Sequence, residues 1–460
     1  MLLKKAAVVA AGLGVLVAAT PVPRHDVAAA PASPNIVLIL SDDQRWDTMS
    51  AMPETSGLIG AHGVTFSNAF VVNPLCCPSR ASILTGLHSH STGVYLNGGP
   101  NEGFNAFDPS STIATWLDGE GYRTALIGKY LNLYPANGGI PPGWDRWVAL
   151  LGTGGYYDYK ANVNGTIQSF GSDPSDYSTD MLAEEAVDFI RSTPADDPLF
   201  LEFAPFAPHG VATPADRHER RFRHLAPWRP RNFNEEDTTD KPRYIRALNP
   251  AAVNHVDRFR RRQLQTLLAV DEAVGDIVET LEDEGRLDDT MIVYASDNGH
   301  LWGEHKWIGK LVPYEESIRV PMMVRYDPLT SNPRTARQLV LNIDLAPTFA
   351  DLAGAEAPAV EGASLMPLLE GGGAGWRGDF LIEHLWEDQP RAVPTYCALR
   401  TRRFIYVKYA GAKEELYNLK NDPFQLRNGI NEPKYQDELA HFKARLAELC
   451  SPPPPGLSLP

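Results

Sequence analysis

The sequence predicts an α/β fold in which a large, mostly parallel β-sheet is flanked by helices. Short apolar runs of strand-like composition, such as residues 35–40 and 291–294, alternate with helical stretches at 180–191 and 262–284. Apolar runs without polar alternation are typical of strands buried on both faces, which occur mainly in parallel sheets. With 460 residues and 43% hydrophobic content, the chain is long enough for a large core and two domains.

Polar residues follow four of these apolar runs. The runs and the residues after them are 35–40 with Asp42 and Asp43, 125–127 with Lys129, 199–203 with His209, and 291–294 with Asp297 and Asn298. In open α/β sheets, ligands bind beyond the carboxyl ends of the strands. We therefore expect these distant residues to converge at one edge of the sheet.

The acidic residues of this set indicate a metal site. Asp42, Asp43 and Asp297 repel one another unless a cation lies among them. Oxygen ligands select Ca²⁺ or Mg²⁺, for which a thiolate is a poor partner. Taken singly, Asp42-Asp43 is also consistent with a polar turn, and Asp297-Asn298-Gly299 with a tight turn.

The segment from Leu75 to Gly86 reads LCCPSRASILTG and predicts a helix. Pro78 suits the first turn and Gly86 suits the end, so Cys76 lies at the helix N-terminus, where an anionic nucleophile is favoured. The alternative is a buried cysteine pair before an ordinary helix.

Cys76-x-Pro78-x-Arg80 resembles the signature of the type I sulfatases, which depend on formylglycine and belong to the alkaline phosphatase-like superfamily. Further motifs resemble this family in the same order along the chain. They are 34–37 (PNIV), 41–44 (SDDQ), 128–132 (GKYLN), 207–209 (APH), 296–299 (SDNG), Lys310, 319–321 (RVP), 342–348 (NIDLAPT) and 415–419 (ELYNL). The resemblance implies the alkaline phosphatase-like fold, with a small C-terminal antiparallel sheet and helix.

The same resemblance implies the chemistry and the role of each site residue. A separate formylglycine-generating enzyme would oxidise Cys76 to Cα-formylglycine, whose hydrate attacks the sulfur of a sulfate ester. Asp42, Asp43, Asp297, Asn298 and the modified Cys76 would bind Ca²⁺, with Mg²⁺ as the alternative ion. Arg80 and Lys129 would hold the hydrate, and His209 and Lys310 would contact the sulfate and assist the leaving alcohol.

The motifs most resemble the N-acetylglucosamine-6-sulfatase and arylsulfatase branch, which implies a sulfated sugar or an aryl sulfate ester as substrate. Residues 300–306 differ from that branch; His305 there is either a substrate contact or a structural hydrogen-bonding group. Tyr130 stands where many members have a histidine. Two other functions remain open: a formylglycine-dependent phosphodiesterase or phosphonate monoester hydrolase, and a catalytically silent sulfated-glycan-binding protein.

Lys4-Lys5 and the apolar run after them predict a signal peptide over residues 1–30 and secretion, since the run is shorter than the roughly 20 residues that span a bilayer. We expect a catalytic domain at 31–372, a C-terminal subdomain at 373–450 and an extended, disordered proline-rich tail at 451–460. Cys397 and Cys450 are the disulfide candidates, the alternative being two independent thiols.

The net charge of −15 argues against nucleic acid or anionic membranes as partners. Two basic clusters, at 217–224 with Arg229 and Arg231 and at 258–262, flank the segment after His209. They either line the substrate cleft or form solvated surfaces paired with acidic residues such as Glu235.

Overall fold

A computed structural model describes residues 33–99, 102–386, 392–411 and 413–459. The predicted signal peptide at 1–30 lies outside these residues. Among the helices described, none is both long and apolar enough to cross a membrane.

The strands of the described residues form a large sheet and several smaller ones. In chain order they are β1 (Asn35–Ser41), β2 (Val64–Phe66), β3 (Ala69–Phe70), β4 (Arg123–Gly128), β5 (Arg146–Leu150), β6 (Lys160–Val163), β7 (Thr166–Ser169), β8 (Leu199–Ala204), β9 (Thr290–Ser296), β10 (Leu301–Trp302), β11 (Ile308–Gly309), β12 (Arg319–Val320), β13 (Met322–Arg325), β14 (Arg334–Ala336), β15 (Val340–Leu341), β16 (Asp379–His384), β17 (Tyr396–Thr401), β18 (Phe404–Tyr409) and β19 (Glu415–Asn418).

The α-helices of the described residues range from single turns to one long helix. In chain order they are α1 (Pro53–Leu58), α2 (Cys76–Thr85), α3 (Ser89–Thr92), α4 (Ile113–Gly119), α5 (Ser178–Ser192), α6 (Arg243–Arg246), α7 (Val253–Asp283), α8 (Glu315–Ile318), α9 (Asp327–Thr330), α10 (Leu345–Ala353), α11 (Met366–Leu369) and α12 (Gln436–Leu449).

The large sheet confirms the predicted α/β class. Its strand order is β14-β2-β13-β9-β1-β8-β4-β5-β6-β7, and the central strands β9, β1, β8, β4 and β5 are parallel. Ile36 and Leu38 pack into the core on one face, while Val37 and Ile39 pack into the core on the other. Because both faces are covered, β1 is apolar at successive positions instead of alternating with polar residues.

Helix α7 is longer than predicted, since it begins at Val253 and not at 262. Its first turns carry many polar and charged side chains, and Val256 is the buried residue among them. The hydrophobic periodicity that reveals an amphipathic helix is therefore weak at this end. The buried part of α7 packs with α5 against one face of the large sheet.

The C-terminal residues form the predicted antiparallel sheet, β16-β17-β18-β19, with helix α12 packed on it. A disulfide joins Cys397 of β17 to Cys450 at the end of α12, which confirms the proposed pairing. The disordered tail was a wrong prediction: Leu457 is buried against the same apolar cluster as Phe442 and Leu446. The division at residue 372 stays a prediction.

Candidate active site

Helix α2 places Cys76 at the carboxyl edge of the large sheet. The helix begins at Cys76, after an extended Leu75, and ends at Gly86, whose φ of 72° is favourable for glycine. Both ends agree with the prediction, and every residue of α2 is buried. A negatively charged atom on residue 76 would lie at the positive end of the helix dipole.

Three carboxylates converge beside Cys76 from two neighbouring parallel strands. Ser41 of β1 is in register with Ser296 of β9, so Asp42 and Asp297 leave the sheet side by side. The backbone N–H of Asp43 donates to Oδ1 of Asp297 at 3.1 Å. The Sγ atom of Cys76 lies 3.4 Å from Oδ1 of Asp42 and 3.9 Å from Oδ1 of Asp43.

Three cationic side chains balance these carboxylates. Arg80 donates from Nε to Oδ2 of Asp297 at 2.8 Å and from Nη1 to the carbonyl of Lys129 at 2.7 Å. Lys129 pairs with Asp42, and Lys310 pairs with Asp43. The Nζ of Lys310 also lies 2.6 Å from Sγ of Cys76. With Asn298 added, we call this set the strand-end cluster: Asp42, Asp43, Cys76, Arg80, Lys129, Asp297, Asn298 and Lys310.

The polar atoms of the strand-end cluster fit a hard cation. Asn298 donates from Nδ2 to Oδ1 of Asp43 at 2.7 Å and to the carbonyl of Gly299 at 2.9 Å. Its Oδ1 is buried and has no hydrogen-bond partner within the described residues. An unpaired amide oxygen beside three carboxylates is a ligand set typical of Ca²⁺ or Mg²⁺. The Cys76 thiol does not suit such an ion, whereas an oxygen at that position would.

The surrounding charges set the protonation of the carboxylates. Burial disfavours charge on Asp42 and Asp43. The ammonium of Lys129 beside Asp42, and that of Lys310 beside Asp43, outweighs burial and holds both pKa values below the usual value. At Asp297, burial and the charge of Asp42 instead raise the pKa to about 6. Asp42 and Asp43 are therefore ionised at neutral pH and available as ligands.

Burial, reinforced by the charge of Asp42, raises the pKa of the Cys76 thiol far above its usual value. The thiolate is the nucleophilic form of cysteine. An unmodified Cys76 would consequently be protonated and unreactive at neutral pH.

Two histidines lie at the rim of the cluster. His209, predicted from sequence, has Nε2 3.8 Å from Oδ2 of Asp43 and Nδ1 2.5 Å from the carbonyl of Gly210. Burial lowers its pKa, so the ring is neutral at neutral pH. His300 was missed by the sequence analysis; its Nδ1 lies 3.7 Å from Oδ2 of Asp43. The signal was its place directly after the Asp297-Asn298-Gly299 turn.

The structure places His305 away from solvent. Its side chain is fully buried, with Nδ1 2.6 Å from Oε2 of Glu235 and the ring packed on Tyr314. This position favours the structural alternative over a substrate contact.

The basic clusters seen in the sequence are partly neutralised by acidic residues other than those expected. Arg217 pairs with Asp180 at 2.6 Å and with Glu272 at 2.7 Å. Arg229 pairs with Asp257 at 2.7 Å. These two arginines therefore belong to solvated, paired surfaces.

Two protein-family descriptions match this chain. Residues 34–355 match the protein family described as Sulfatase, and residues 303–451 match the family described as N-sulphoglucosamine sulphohydrolase, C-terminal. The chain belongs to the sulfatase family. This sulfatase is accordingly a sulfuric ester hydrolase, as the motif resemblance implied.

Named relatives of this sulfatase cover most of its length. It is 34% identical to the N-acetylglucosamine-6-sulfatase of Homo sapiens, over 93% of this chain and 86% of that protein. It is 35% identical to an extracellular sulfatase of Drosophila melanogaster, over 76% of this chain but 33% of that longer protein.

A solved structure similar to this sulfatase was determined in complex with its substrate, D-glucosamine-2-N,6-O-disulfate. The TM-score is 0.82 at 27% sequence identity, covering 91% of this chain and 98% of that one. The similarity confirms the alkaline phosphatase-like architecture.

Proposed function

We propose that this sulfatase is a secreted, Ca²⁺-dependent enzyme that removes the 6-sulfate from N-acetylglucosamine 6-sulfate or a closely related sulfated sugar. The nucleophile would derive from Cys76 by oxidation to formylglycine. The observation that carries this proposal is the position of Cys76, at a helix N-terminus, between two carboxylates and the ammonium of Lys310. This is a place for an oxygen nucleophile and not for a thiol.

A hydrated aldehyde at residue 76 would supply the attacking oxygen. Ca²⁺ held by Asp42, Asp43, Asp297 and Asn298 would supply additional positive charge. The charged groups of the strand-end cluster otherwise balance, with three carboxylates facing three cations. A divalent cation would leave a net positive site, which is complementary to a sulfate ester. Charge balance therefore supports the metal and the substrate class together.

The chain's own cations would hold the sulfate and the nucleophile. Although burial opposes its charge, Asp43 holds the pKa of Lys310 well above the usual value, so Lys310 stays protonated. It can donate a hydrogen bond to a sulfate oxygen or to the departing alcohol. Arg80 is fixed by Asp297 and by the Lys129 carbonyl, which orients its guanidinium without movement during the reaction.

His209 is suited to proton transfer at the same site. Its Nδ1 lies in hydrogen-bond contact with the carbonyl of Gly210, so Nδ1 carries the proton and Nε2 is an acceptor. A neutral imidazole acceptor beside the cluster can take a proton, whereas the leaving alcohol needs a donor, a role that the protonated Lys310 can fill.

The sugar specificity is supported by the relatives. The human relative is an N-acetylglucosamine-6-sulfatase and aligns with nearly the whole chain. The solved structure holds a 6-O-sulfated glucosamine as its substrate. Secretion is supported by the extracellular relative and by the Cys397–Cys450 disulfide, since disulfides persist mainly in oxidising compartments.

The test is hydrolysis of matched substrates by protein co-produced with a formylglycine-generating enzyme, with the Cys76→Ala variant as background. We expect sulfate release from N-acetylglucosamine 6-sulfate and slower release from the 3-sulfate. An aryl sulfate and an aryl phosphate diester are compared in the same assay. Faster cleavage of the diester would favour the phosphodiesterase alternative, and no turnover of any ester with the aldehyde present would contradict an enzymatic role.

A further inference from the structure

A second concave surface lies between the loops of the large sheet and the C-terminal sheet. We call it the arginine groove and define it by lining residues from segments 45–47, 228–230, 315–319, 400–403 and 419–424. It encloses about 740 Å³. No residue of the strand-end cluster lines it, so the arginine groove is a separate site.

The lining of the arginine groove is basic in an otherwise acidic protein. Among the described residues, six cationic side chains line the groove, but only three carboxylates do, those of Asp47, Glu315 and Glu316. The cations are Arg45, Arg319, Arg400, Arg402, Arg403 and Lys420. Because the chain as a whole carries −15, this local excess of positive charge indicates an anionic ligand.

Only part of this positive charge is neutralised within the protein. Arg45 pairs with Asp47 at 2.8 Å and with the buried Glu304 at 2.9 Å, and Arg400 pairs with Glu315 at 2.8 Å. Within the described residues the other four cations of the groove have no carboxylate partner, and Arg402, Arg403 and Lys420 are exposed. The positive excess is thus presented to solvent.

Two guanidinium groups also carry unused donors. Arg400 is 4% exposed, and its Nη1 has no hydrogen-bond partner in the part of the chain that the structure describes. The Nε atom of Arg319 is also buried and also has no hydrogen-bond partner among the described residues. An unpaired buried donor is unfavourable, and a guanidinium donor is well matched to a sulfate or carboxylate oxygen.

Aromatic side chains complete the groove. The guanidinium of Arg319 lies 4.9 Å from the ring of Trp46, which fixes both side chains. Trp228 and Phe424 line the groove with Trp46 and are half-buried. Flat apolar surfaces beside cationic donors suit a ligand with both apolar ring faces and anionic groups, which describes a sulfated or carboxylated sugar.

We propose that the arginine groove binds an anionic oligosaccharide, a glycan segment bearing sulfate or carboxylate groups, at a site distinct from Cys76. The choice of a glycan as the anion rests on the proposed function. Trp46 follows Asp43 by three residues, so their Cα atoms lie within about 11 Å of each other. The arginine groove therefore lies close to the strand-end cluster along this segment.

The experiment is titration calorimetry with the full chain carrying Cys76→Ala, so that the ligand is not cleaved. The ligands are a short sulfated, uronate-containing oligosaccharide, an uncharged oligosaccharide of the same length and inorganic sulfate. The groove variant combines Arg402→Ala, Arg403→Ala and Lys420→Ala. The matched control combines Lys160→Ala, Arg191→Ala and Arg337→Ala, three exposed cations outside both the groove and the two basic clusters.

We expect the groove variant to bind the sulfated oligosaccharide roughly tenfold more weakly and with a smaller salt dependence, while the control changes less than about twofold. The single reversal Lys420→Glu should weaken binding in the same direction, and equal thermal midpoints show that the variants fold. Equal losses in both triple variants, no loss in the groove variant, or inorganic sulfate binding as tightly as the oligosaccharide would each overturn the proposal. Because binding is measured without turnover, an inactive enzyme would contradict the proposed function and not this inference.

Discussion

The strand-end cluster and the surroundings of Glu415 are both buried and polar, yet they are built in opposite ways. Glu415 accepts hydrogen bonds from the hydroxyls of Tyr314 at 3.0 Å, Tyr409 at 2.5 Å and Tyr417 at 2.5 Å. None of these four side chains has an unpaired buried polar atom within the described residues. In the strand-end cluster, by contrast, Oδ1 of Asn298 and Nη2 of Arg80 have no hydrogen-bond partner among the described residues.

The pKa shifts of the two regions also differ at Asp42 and Asp43, although not at Asp297, whose pKa is raised as that of Glu415 is. At Glu415 burial outweighs the tyrosine hydrogen bonds and raises the pKa, which favours a protonated carboxyl. At Asp42 and Asp43 neighbouring cations outweigh burial and lower the pKa. Burial alone therefore does not mark an active site. The distinguishing feature is a set of buried groups that stay ionised and have unused hydrogen-bond donors and acceptors beside them.

The largest expected effect is at Cys76. Cys76→Ala removes the proposed nucleophile, so sulfate release should fall by at least about 10⁴-fold while the thermal midpoint stays close to that of the parent. The measurement is turnover of an aryl sulfate at saturating substrate.

Cys77 provides the matched control, because it is the adjacent cysteine of the same helix and is equally buried. Cys77→Ala should keep turnover within about threefold of the parent and cost about 1 kcal/mol of stability. Similar activity losses at both positions would show that the helix, and not residue 76, is what matters.

The next effect is at Asn298, where removal of the unpaired amide oxygen tests the cation site. Asn298→Ala should lower turnover by about 10²-fold. It should also reduce the rise in thermal midpoint that Ca²⁺ produces in chelator-treated protein, since a lost ligand weakens binding to the folded state.

Asn162 is a buried asparagine whose amide is fully used, donating to Tyr134 at 2.8 Å and accepting from Gly165 at 2.7 Å. Asn162→Ala should lower stability but leave the Ca²⁺-induced shift intact. An unchanged Ca²⁺ shift in Asn298→Ala would show that this residue is not a ligand of the proposed metal site.

A smaller effect, on stability, is expected at Glu415. Glu415→Gln keeps the shape of the side chain but removes an acceptor from the tyrosine hydroxyls, which should cost about 2 kcal/mol of unfolding free energy. Turnover should stay within about threefold of the parent. Urea unfolding and an activity assay on the same samples separate the two readouts, and a large loss of turnover in a folded variant would break the comparison.

The smallest effect is a pH dependence at His384. Burial lowers its pKa to about 4, against an unfolded value of about 6.5. The unfolded chain therefore binds more protons between these values, and stability is lost as the pH falls. This histidine alone should lower the unfolding free energy by about 1 kcal/mol between pH 7 and pH 5.5.

His384→Gln should flatten the stability profile by that amount over the same pH range. Urea unfolding of parent and variant at both pH values is the measurement. A parallel profile for the two proteins would mean that His384 does not titrate as its burial indicates.

Sequence reasoning succeeded where local pattern determines position. The apolar strands set the parallel sheet, and the residues at their carboxyl ends, Asp42, Asp43, Asp297 and Asn298, then had to meet at one edge. Helix α2 was likewise predictable from local pattern, because Pro78 fits the first turn of a helix and Gly86 fits its end.

Sequence reasoning failed where the outcome depends on distant partners. His305 is buried because Glu235, from a separate segment, lies against it, and no local pattern shows this. The tail packs because Leu457 meets an apolar cluster formed by α12 and the C-terminal sheet. The arginine groove likewise combines residues from separate parts of the chain, so its charge excess is invisible in any single stretch.

The most direct test of the account is to compare turnover with the fraction of residue 76 present as the aldehyde. Preparations made with different amounts of formylglycine-generating enzyme are analysed by peptide mass spectrometry and by sulfate release from N-acetylglucosamine 6-sulfate. If formylglycine at residue 76 is the nucleophile, turnover is proportional to the aldehyde fraction and is zero without aldehyde. Full turnover from protein that carries an intact thiol at Cys76 would contradict this account.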